Sequence, residues 1–142
     1  MHYLDTSVLV PLFLPEETSE RIQSWFETQG AEGLAISDWT LTEFSSALGL
    51  KVRAKVLKAA QAQTAEDLLA RLAKDSLQVL TPNRNDYACA STFLGRYALG
   101  LRAGDALHLA IARNAGAAAV YSLDRKFVAA GRRLRIRTRS PI

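Results

Sequence analysis

Four acidic residues lie far apart in the sequence but beside segments that we expect to be buried. They are Asp5, Glu43, Asp105 and Asp124. Acids that gather at one place repel each other and raise each other's pKa values, so such a cluster persists only where a cation neutralises it. Carboxylate oxygens, without cysteine ligands, select hard ions such as Mg²⁺ or Mn²⁺. If the four acids meet, the sequence therefore predicts a site for one or two such ions.

Each of these acids also has a purely structural interpretation. Thr40 and Glu43 have the spacing of a capping box at the start of a helix. Asp105, near the beginning of a helix, is favoured there by the helix dipole. Asp124 fits the N-cap of a short helix, and Asp5 fits an Asx turn that closes a strand. The case for a shared site depends on the four acids coming together in the fold.

Short apolar runs alternate along the chain with segments of helical periodicity. The pattern predicts strands at residues 2–7, 33–37, 77–80, 118–122 and 134–137. It predicts helices at residues 15–30, 38–60, 64–76, 83–99 and 105–114. The apolar stretch VLVPLFLP is interpreted as a buried strand followed by a short helix. Because strands that are separated by helices favour right-handed crossovers, we expect a mostly parallel sheet of four to five strands. The expected fold is a single α/β domain over residues 1–142, a three-layer α/β/α sandwich.

This fold would bring the acids to one edge of the sheet. Sites in open α/β sheets form outside the carboxyl ends of the strands. Asp5 ends the first predicted strand, and Asp124 comes two residues after the fourth. Glu43 and Asp105 each lie in the first turn or two of a predicted helix. All four acids can therefore lie at the edge of the sheet formed by the carboxyl ends of its strands, which we call the rim.

Composition restricts the class of protein further. The 142 residues carry a net charge of +4, which favours a polyanionic partner such as RNA. Cys89 is the single cysteine, which excludes an intramolecular disulfide and a cysteine metal site and suits a reducing, cytoplasmic compartment. No apolar run approaches the roughly 18 residues of a membrane span. His2 and His108 are expected to be surface or packing residues.

Basic residues are concentrated near the end of the sequence. In RRLRIRTR, arginines alternate with Leu134, Ile136 and Thr138, which in a strand would put the arginines on one face. Such a face would either protect a sheet edge or follow the phosphates of an RNA. The candidate contacts for RNA or a protein partner are Arg102, Arg125, Arg133, Arg135 and Arg137.

Four sequence blocks together resemble a known family. YLDTSVLVPLF, ISDWTLTEFSSAL, LRAGDALHLAIA and YSLDRKF have the order and spacing of PIN-domain nucleases, and most closely of VapC-type toxins of bacterial toxin–antitoxin pairs. LRAGDALHLAIA is the most specific block, and the resemblance extends over essentially the whole chain. The resemblance implies a PIN-like sandwich and an endoribonuclease that uses Mg²⁺ or Mn²⁺ to cleave structured RNA.

The resemblance also assigns roles to individual residues. It implies that Asp5, Asp105 and Asp124 bind the metal and that Glu43 binds it directly or through water. Hydroxyl residues accompany the first and last acids in the family, and the corresponding residues here are Thr6, Ser7 and Ser122. The family usually has threonine where this chain has Ser122, a change that keeps the hydroxyl. Members commonly form homodimers and are inhibited by a cognate antitoxin.

Two other functions compete with this interpretation. A haloacid-dehalogenase-like phosphohydrolase also begins with an acid after its first strand, but it needs a second aspartate two residues later, where this chain has Ser7. A non-catalytic RNA- or protein-binding module of the same fold would keep the architecture without the chemistry. The four intact acids argue against such a module.

Overall fold

A computed structural model describes residues 1–30 and 33–142. Within these residues, five strands form one parallel sheet in the order β3-β2-β1-β4-β5. The strands are β1 (His2–Leu4), β2 (Leu34–Ser37), β3 (Gln78–Leu80), β4 (Ala119–Tyr121) and β5 (Thr138–Arg139). The helices are α1 (Thr6–Phe13), α2 (Ser19–Gln29), α3 (Asp38–Arg53), α4 (Ala59–Asp75), α5 (Arg84–Leu94), α6 (Ala103–Asn114) and α7 (Arg125–Arg133). The predicted α/β fold is confirmed, with a sheet that is parallel throughout.

The sheet lies between two layers of helices. Successive strand residues point to opposite faces, so Leu34, Ile36 and Tyr121 pack into one hydrophobic core while Ala35 and Val120 pack into another. The first core is completed by α1, α2, α3 and α4, and the second by α5, α6 and α7. Strands buried on both faces explain why these segments are apolar without alternation.

The strand order changes direction between β1 and β4. From β1 the chain moves outward to β2 and β3, and it then returns to place β4 on the other side of β1. Leu4 pairs with Tyr121 in the β1–β4 register, so the residues that follow these two strands emerge side by side. A switch point of this kind opens a crevice at the carboxyl ends of the strands. Asp5 and Asp124 follow the two strands that form it.

The helix predicted at residues 38–60 ends at Arg53, and the helix predicted at residues 64–76 already begins at Ala59. Lys55 has a left-handed backbone, with φ of 59°. Its amide donates to the carbonyl of Val52, and the amide of Val56 donates to that of Lys51. This is the hydrogen-bond pattern of a Schellman helix end, a position that usually carries glycine. Because lysine and not glycine occupies the left-handed position, composition alone does not reveal this helix end.

The fifth strand is present, but it lies at Thr138–Arg139 and not at the predicted residues 134–137, for the same reason. Arg135 has a φ of 61°, and its amide donates to the carbonyl of Arg132. The amide of Ile136 donates to the carbonyl of Gly131, which completes a second Schellman end at α7. The strand β5 starts only at Thr138, so the expected one-sided face of arginines on a strand does not exist.

The remaining differences lie at element boundaries. The helix predicted to reach residue 99 ends at Leu94 and is followed by a short 3-10 helix, Tyr97–Leu99. The first strand ends at Leu4 because Asp5 begins the cap of α1. No helix of residues 1–30 and 33–142 has both the length and the apolar character needed to cross a membrane.

We predict that Gly131→Ala destabilises the fold, although alanine is the better helix former by about 1 kcal/mol. A methyl group at this position would collide with the side chain of Thr138 and lie 3.1 Å from Leu109 Cδ2. Thr138 is fixed in place because its hydroxyl donates to the carbonyl of Val128 (2.7 Å). We expect overpacking to lower the free energy of unfolding by about 1–3 kcal/mol in urea titrations.

Gly95→Ala is the matched control. A methyl group there would meet its nearest neighbour, the carbonyl oxygen of Thr92, at an ordinary 3.4 Å. Its free energy of unfolding should change by less than about 0.5 kcal/mol. Equal effects of the two substitutions would show that the contact between α7 and β5 is not tightly packed.

Candidate active site

Asp5 is a buried carboxylate at the junction of β1 and α1. Only 6% of the residue is exposed, and its amide donates to the carbonyl of Tyr121 (3.1 Å). Its Oδ1 atom accepts hydrogen bonds from both the amide and the hydroxyl of Ser7, each at 2.6 Å. Burial raises the pKa of Asp5, while Ser7 and the nearby His108 act in the opposite direction. The expected Asx turn is present, and it holds the acid at the switch point.

Ser7 and Ser122 join the loops that follow β1 and β4. The hydroxyl of Ser7 accepts a hydrogen bond from the amide of Leu123 (2.8 Å) and lies 3.4 Å from the hydroxyl of Ser122. The Ser122 hydroxyl in turn accepts from the amide of Asp124 (3.0 Å). These hydroxyls therefore fix the relative positions of Asp5 and Asp124, which belong to segments more than a hundred residues apart.

Asp124 is the N-cap of α7, as its structural interpretation predicted. Its Oδ1 atom accepts from the amides of Lys126 (2.7 Å) and Phe127 (3.2 Å). The cap explains why α7 starts at Arg125. Unlike Asp5, this residue is exposed, so its carboxylate is open to a ligand.

Asp105 lies in the first turn of α6 and is electrostatically coupled to the other two aspartates. Burial and the negative charge of Asp124 raise its pKa, and the charge of Asp5 adds to the effect. The three carboxylates, which come from three separate segments, therefore affect one another electrostatically. Hydrogen bonds through Ser7 and Ser122 link Asp5 to Asp124, and Asp105 is near enough for both charges to act on it.

Glu43 reaches the same rim from α3. A methyl group at Gly104, the residue before Asp105, would lie 2.5 Å from Glu43 Oε1. The other oxygen, Oε2, accepts from the hydroxyl of Thr6 (2.8 Å) and lies 2.7 Å from His108 Nε2. Burial alone would raise the pKa of Glu43, but the hydrogen bonds from His108 and Thr6 outweigh it and hold the pKa below its ordinary value.

The capping box expected between Thr40 and Glu43 does not form. The N-cap of α3 is Ser37, whose hydroxyl accepts from the amide of Thr40, while the hydroxyl of Thr40 accepts from the amide of Ser37. The helix therefore begins three residues earlier than that interpretation requires. Glu43 lies beyond the first turn, where its carboxylate is free to join the rim.

His108 is the main component of the site that sequence reasoning missed. Its burial, at 1% exposure, agrees with the packing role that was one of two expectations, but its hydrogen-bond partners at both ring nitrogens were not expected. Nδ1 lies 2.7 Å from the hydroxyl of Tyr3, which lies 2.7 Å from the hydroxyl of Ser37. One available signal was spacing, because His108 follows Asp105 by three residues and so lies on the same side of α6.

The donor set suits a hard divalent ion, although the carboxylates do not form a compact ligand sphere. Within the described part of the chain, no three His, Cys, Asp or Glu side chains converge closely enough to hold one ion. Oxygen donors and the raised pKa of Asp105 fit a cation that would neutralise the rim. Asp5, Asp105 and Asp124 are the residues that would hold it, with Glu43 beside them.

The predicted basic contacts are exposed but dispersed. Arg102 precedes α6 as its N-cap residue, and Arg125 begins α7. Arg133 donates to the carbonyl of Ala98 (2.8 Å), which ties the end of α7 to the α5–α6 connection. Arg135 and Arg137 lie exposed between α7 and β5. Their exposure alternates with the half-burial of Leu134 and Ile136, but the cause is a helix end rather than a strand.

Comparison with known proteins agrees with this architecture. The sequence profile described as "PIN domain" matches residues 2–133. No curated protein sequence is significantly similar to the chain.

Several solved structures share the fold. FitAcB from Neisseria gonorrhoeae superposes with a TM-score of 0.72 at 19% identity, covering 99% of this chain and 98% of that one. VapC20 from Mycobacterium tuberculosis, described as a toxin that cleaves the sarcin–ricin loop, gives 0.73 at 19% identity over 92% and 95%. VapBC-1 from nontypeable Haemophilus influenzae gives 0.68 at 16% identity over 99% and 98%.

We predict that His108 positions Glu43, and that His108→Leu has two consequences. Removing the ring takes one buried hydrogen-bond partner from the Glu43 carboxylate and one from the Tyr3 hydroxyl, so the free energy of unfolding should fall by about 1–3 kcal/mol. Because partners behind a ligand orient it, calorimetric affinity for Mn²⁺ should fall by about 10–100-fold.

His108→Gln tests whether the hydrogen bond to Glu43 is responsible. Its side-chain amide can still donate to Glu43, so most of the Mn²⁺ affinity should return even if part of the stability does not. Tight Mn²⁺ binding by the leucine variant would contradict the positioning role of His108.

We predict that Asp105→Asn stabilises the metal-free protein at neutral pH. The folded-state pKa of Asp105 is raised above its unfolded value, so ionisation costs the folded state free energy at pH values above that folded pKa. This cost disappears as the pH falls below the unfolded value near about 3.9, where both states are protonated. With allowance for solvent screening, the gain at pH 7 should be on the order of 1 kcal/mol.

Urea unfolding in EDTA between pH 4 and 8 measures this difference. The gain of the asparagine variant should shrink toward acid pH, and adding Mn²⁺ should stabilise the native sequence more than the variant. Asp67→Asn, at an exposed position within α4, is the control and should show neither effect. A variant that is less stable at pH 7 would mean that no repulsion acts on Asp105.

Proposed function

Because this chain belongs to the PIN domain family, we propose that it is an endoribonuclease that depends on Mg²⁺ or Mn²⁺ and hydrolyses phosphodiester bonds in RNA. The observation that carries the proposal is the hydrogen-bonded junction of the loops after β1 and β4, which holds Asp5 and Asp124 at the switch point of the sheet. Oxygen-only donor sets of this kind suit ions that are used in phosphodiester hydrolysis.

The residues of the rim have separate tasks in this proposal. A divalent ion, one or two per site, would supply an acidified water and would offset the charge that develops on the phosphate. Asp5, held by Ser7, and Asp124, held by α7, provide fixed carboxylates on either side of the β1–β4 junction. Asp105 supplies the third carboxylate from α6.

Glu43 is suited to orient the attacking water. Its lowered pKa keeps it ionised at neutral pH, and an ionised carboxylate only accepts hydrogen bonds. Thr6 and His108 occupy Oε2, whereas Oε1 lies toward Gly104 and Trp39 and keeps acceptor capacity for a hydrogen bond from water. The buried Tyr3–His108 pair holds the acid in this orientation without contacting substrate.

We further propose that the protein is the toxin of a toxin–antitoxin pair. Support comes from structures of the same fold that are described as toxins or toxin–antitoxin complexes, including one from Klebsiella pneumoniae with a TM-score of 0.68 at 17% identity. The proposed partners are RNA, a cognate antitoxin and a second copy of the chain, in the cytoplasm. The candidate contacts to RNA or antitoxin remain Arg102, Arg125, Arg133, Arg135 and Arg137.

The main alternative is a non-catalytic RNA- or protein-binding PIN module. Such a module gains nothing from carboxylates whose ionised form is disfavoured. In this chain burial raises the pKa of both Asp5 and Asp105, and neighbouring negative charges raise that of Asp105 further. The haloacid-dehalogenase-like alternative has less support, because Ser7 takes the place of its second aspartate and the family match is to the PIN domain.

We predict that Asp5→Asn abolishes RNA cleavage while the fold remains intact. The substitution keeps the size of the side chain but removes a metal-binding charge, so the cleavage rate with Mn²⁺ should fall by at least about 100-fold. Mapping RNA 5′ ends after brief expression of the native and variant chains would measure the loss and identify the substrate.

Asp67→Asn again serves as the control, because it removes one carboxylate from an exposed helix face. It should cleave as the native protein does. Full activity of Asp5→Asn, or cleavage by the native protein in EDTA, would refute the proposed mechanism. RNA binding without cleavage in Mn²⁺ would favour the non-catalytic module.

A further inference from the structure

A groove between α2 and α7 collects three arginines beside the acidic rim. Its volume is about 440 Å³. Arg21 comes from α2, and Arg125 and Arg132 come from α7. Ser122 also lines the groove, and Ser140 and Ile142 lie along it. The three guanidinium groups give the groove a set of charged donors, which suits an anion.

The helical period of α7 builds one wall of this groove. Arg125, Val128, Ala129 and Arg132 all line it, and their spacing of three, one and three residues places them on a single helix face. The sequence interpretation of alternating arginines on a strand selected Arg133, Arg135 and Arg137 instead. Because α7 extends to Arg133, these residues follow the helical period of 3.6, and this period places Arg132 on the same face as Arg125.

The positive charges in the groove are not neutralised by acids. Among residues 1–30 and 33–142, no Asp or Glu oxygen lies within 4.0 Å of the guanidinium group of Arg21, Arg125 or Arg132. Arg132 is also partly fixed, since its Nε atom donates to the carbonyl of Thr138 (3.1 Å). Three guanidinium groups around one depression repel each other unless an anion lies between them, and arginine pairs well with phosphate oxygens.

The floor of the groove connects directly to the acidic rim. Ser122 is fully buried beneath it, and its hydroxyl accepts from the amide of Asp124 and lies 3.4 Å from that of Ser7. Ser7 in turn donates to Asp5. Ser122 is therefore the residue that lies between the groove and the segments that carry Asp5 and Asp124. A ligand that reaches both places needs one phosphate at the rim and another beside it, as a nucleic acid strand has.

We propose that this groove binds a backbone phosphate of the RNA substrate, next to the phosphate that is cleaved. The inference rests on the proposed function, because it treats the acidic rim as the cleavage site. Arg21, Arg125 and Arg132 hold the phosphate without contacting the reacting atoms. The groove thereby sets the path of the strand across the β4–α7 side of the rim.

The test measures RNA affinity in a protein that does not cleave. In an Asp5→Asn background, a fluorescein-labelled RNA hairpin of mixed sequence is titrated by anisotropy at several salt concentrations. The double variant Arg21→Gln/Arg132→Gln should weaken binding by about ten-fold. The negative slope of log affinity against log salt should become less steep by roughly 0.7–0.9, the value for one lost phosphate contact.

Two further variants make the result specific. Arg71→Gln/Arg84→Gln removes the same charge from exposed positions on α4 and α5 that are outside the groove, and it should leave the salt slope within error of the parent. Arg21→Gln/Arg125→Gln leaves the Arg132 bond to Thr138 intact and should still weaken binding. Urea titrations confirm that each variant is folded.

The outcomes separate this inference from the proposed function. If the native chain cleaves RNA but the groove variants bind as the Arg71/Arg84 control does, the groove inference is wrong and the nuclease proposal stands. If the groove variants lose affinity but the native chain never cleaves, the groove stands and the protein is an RNA-binding module. An Asp5→Asn protein with no measurable RNA affinity at low salt would overturn the groove as an RNA site.

Discussion

The burial of Asp5 at the carboxyl end of β1 is the constraint on which the site depends. A carboxylate that is 6% exposed costs free energy unless its charge is compensated. Two hydrogen bonds from Ser7 compensate part of the cost, and Ser7 is in turn held by the loop after β4. The raised pKa of Asp5 shows that the compensation is incomplete. In the proposed function, a cation at this position would supply the compensation that the hydrogen bonds do not.

The same constraint explains the distribution of charge around the rim. Three coupled aspartates would repel a polyanion, so an RNA-cleaving protein needs cations both at the rim and beside it. Part of the positive charge of this protein lies next to the acids. Arg125 directly follows the N-cap Asp124, and Arg132 lies two turns further along the same face of α7. One helix therefore contributes an acid to the rim and cations to the neighbouring groove.

Much of this arrangement could be predicted from the sequence. The order of strands and acids fixed the fold class and brought Asp5 and Asp124 to one edge, since parallel strands share a direction. The two misplaced helix ends have one physical cause in common. Lys55 and Arg135 adopt left-handed conformations that normally require glycine, so two helix ends were invisible to composition. His108 was missed because its role depends on contacts with Tyr3 and Glu43, which come from other parts of the chain.

The structural and functional interpretations of the acids, which seemed to compete, are compatible. Asp5 and Asp124 each use Oδ1 to accept backbone amides at the start of a helix. A carboxylate has two oxygens and about four acceptor positions, so a cap leaves capacity for another ligand. The cap also fixes the side chain, which lowers the entropic cost of binding there. Helix capping is therefore the means by which this fold holds two of its acids ready at the rim.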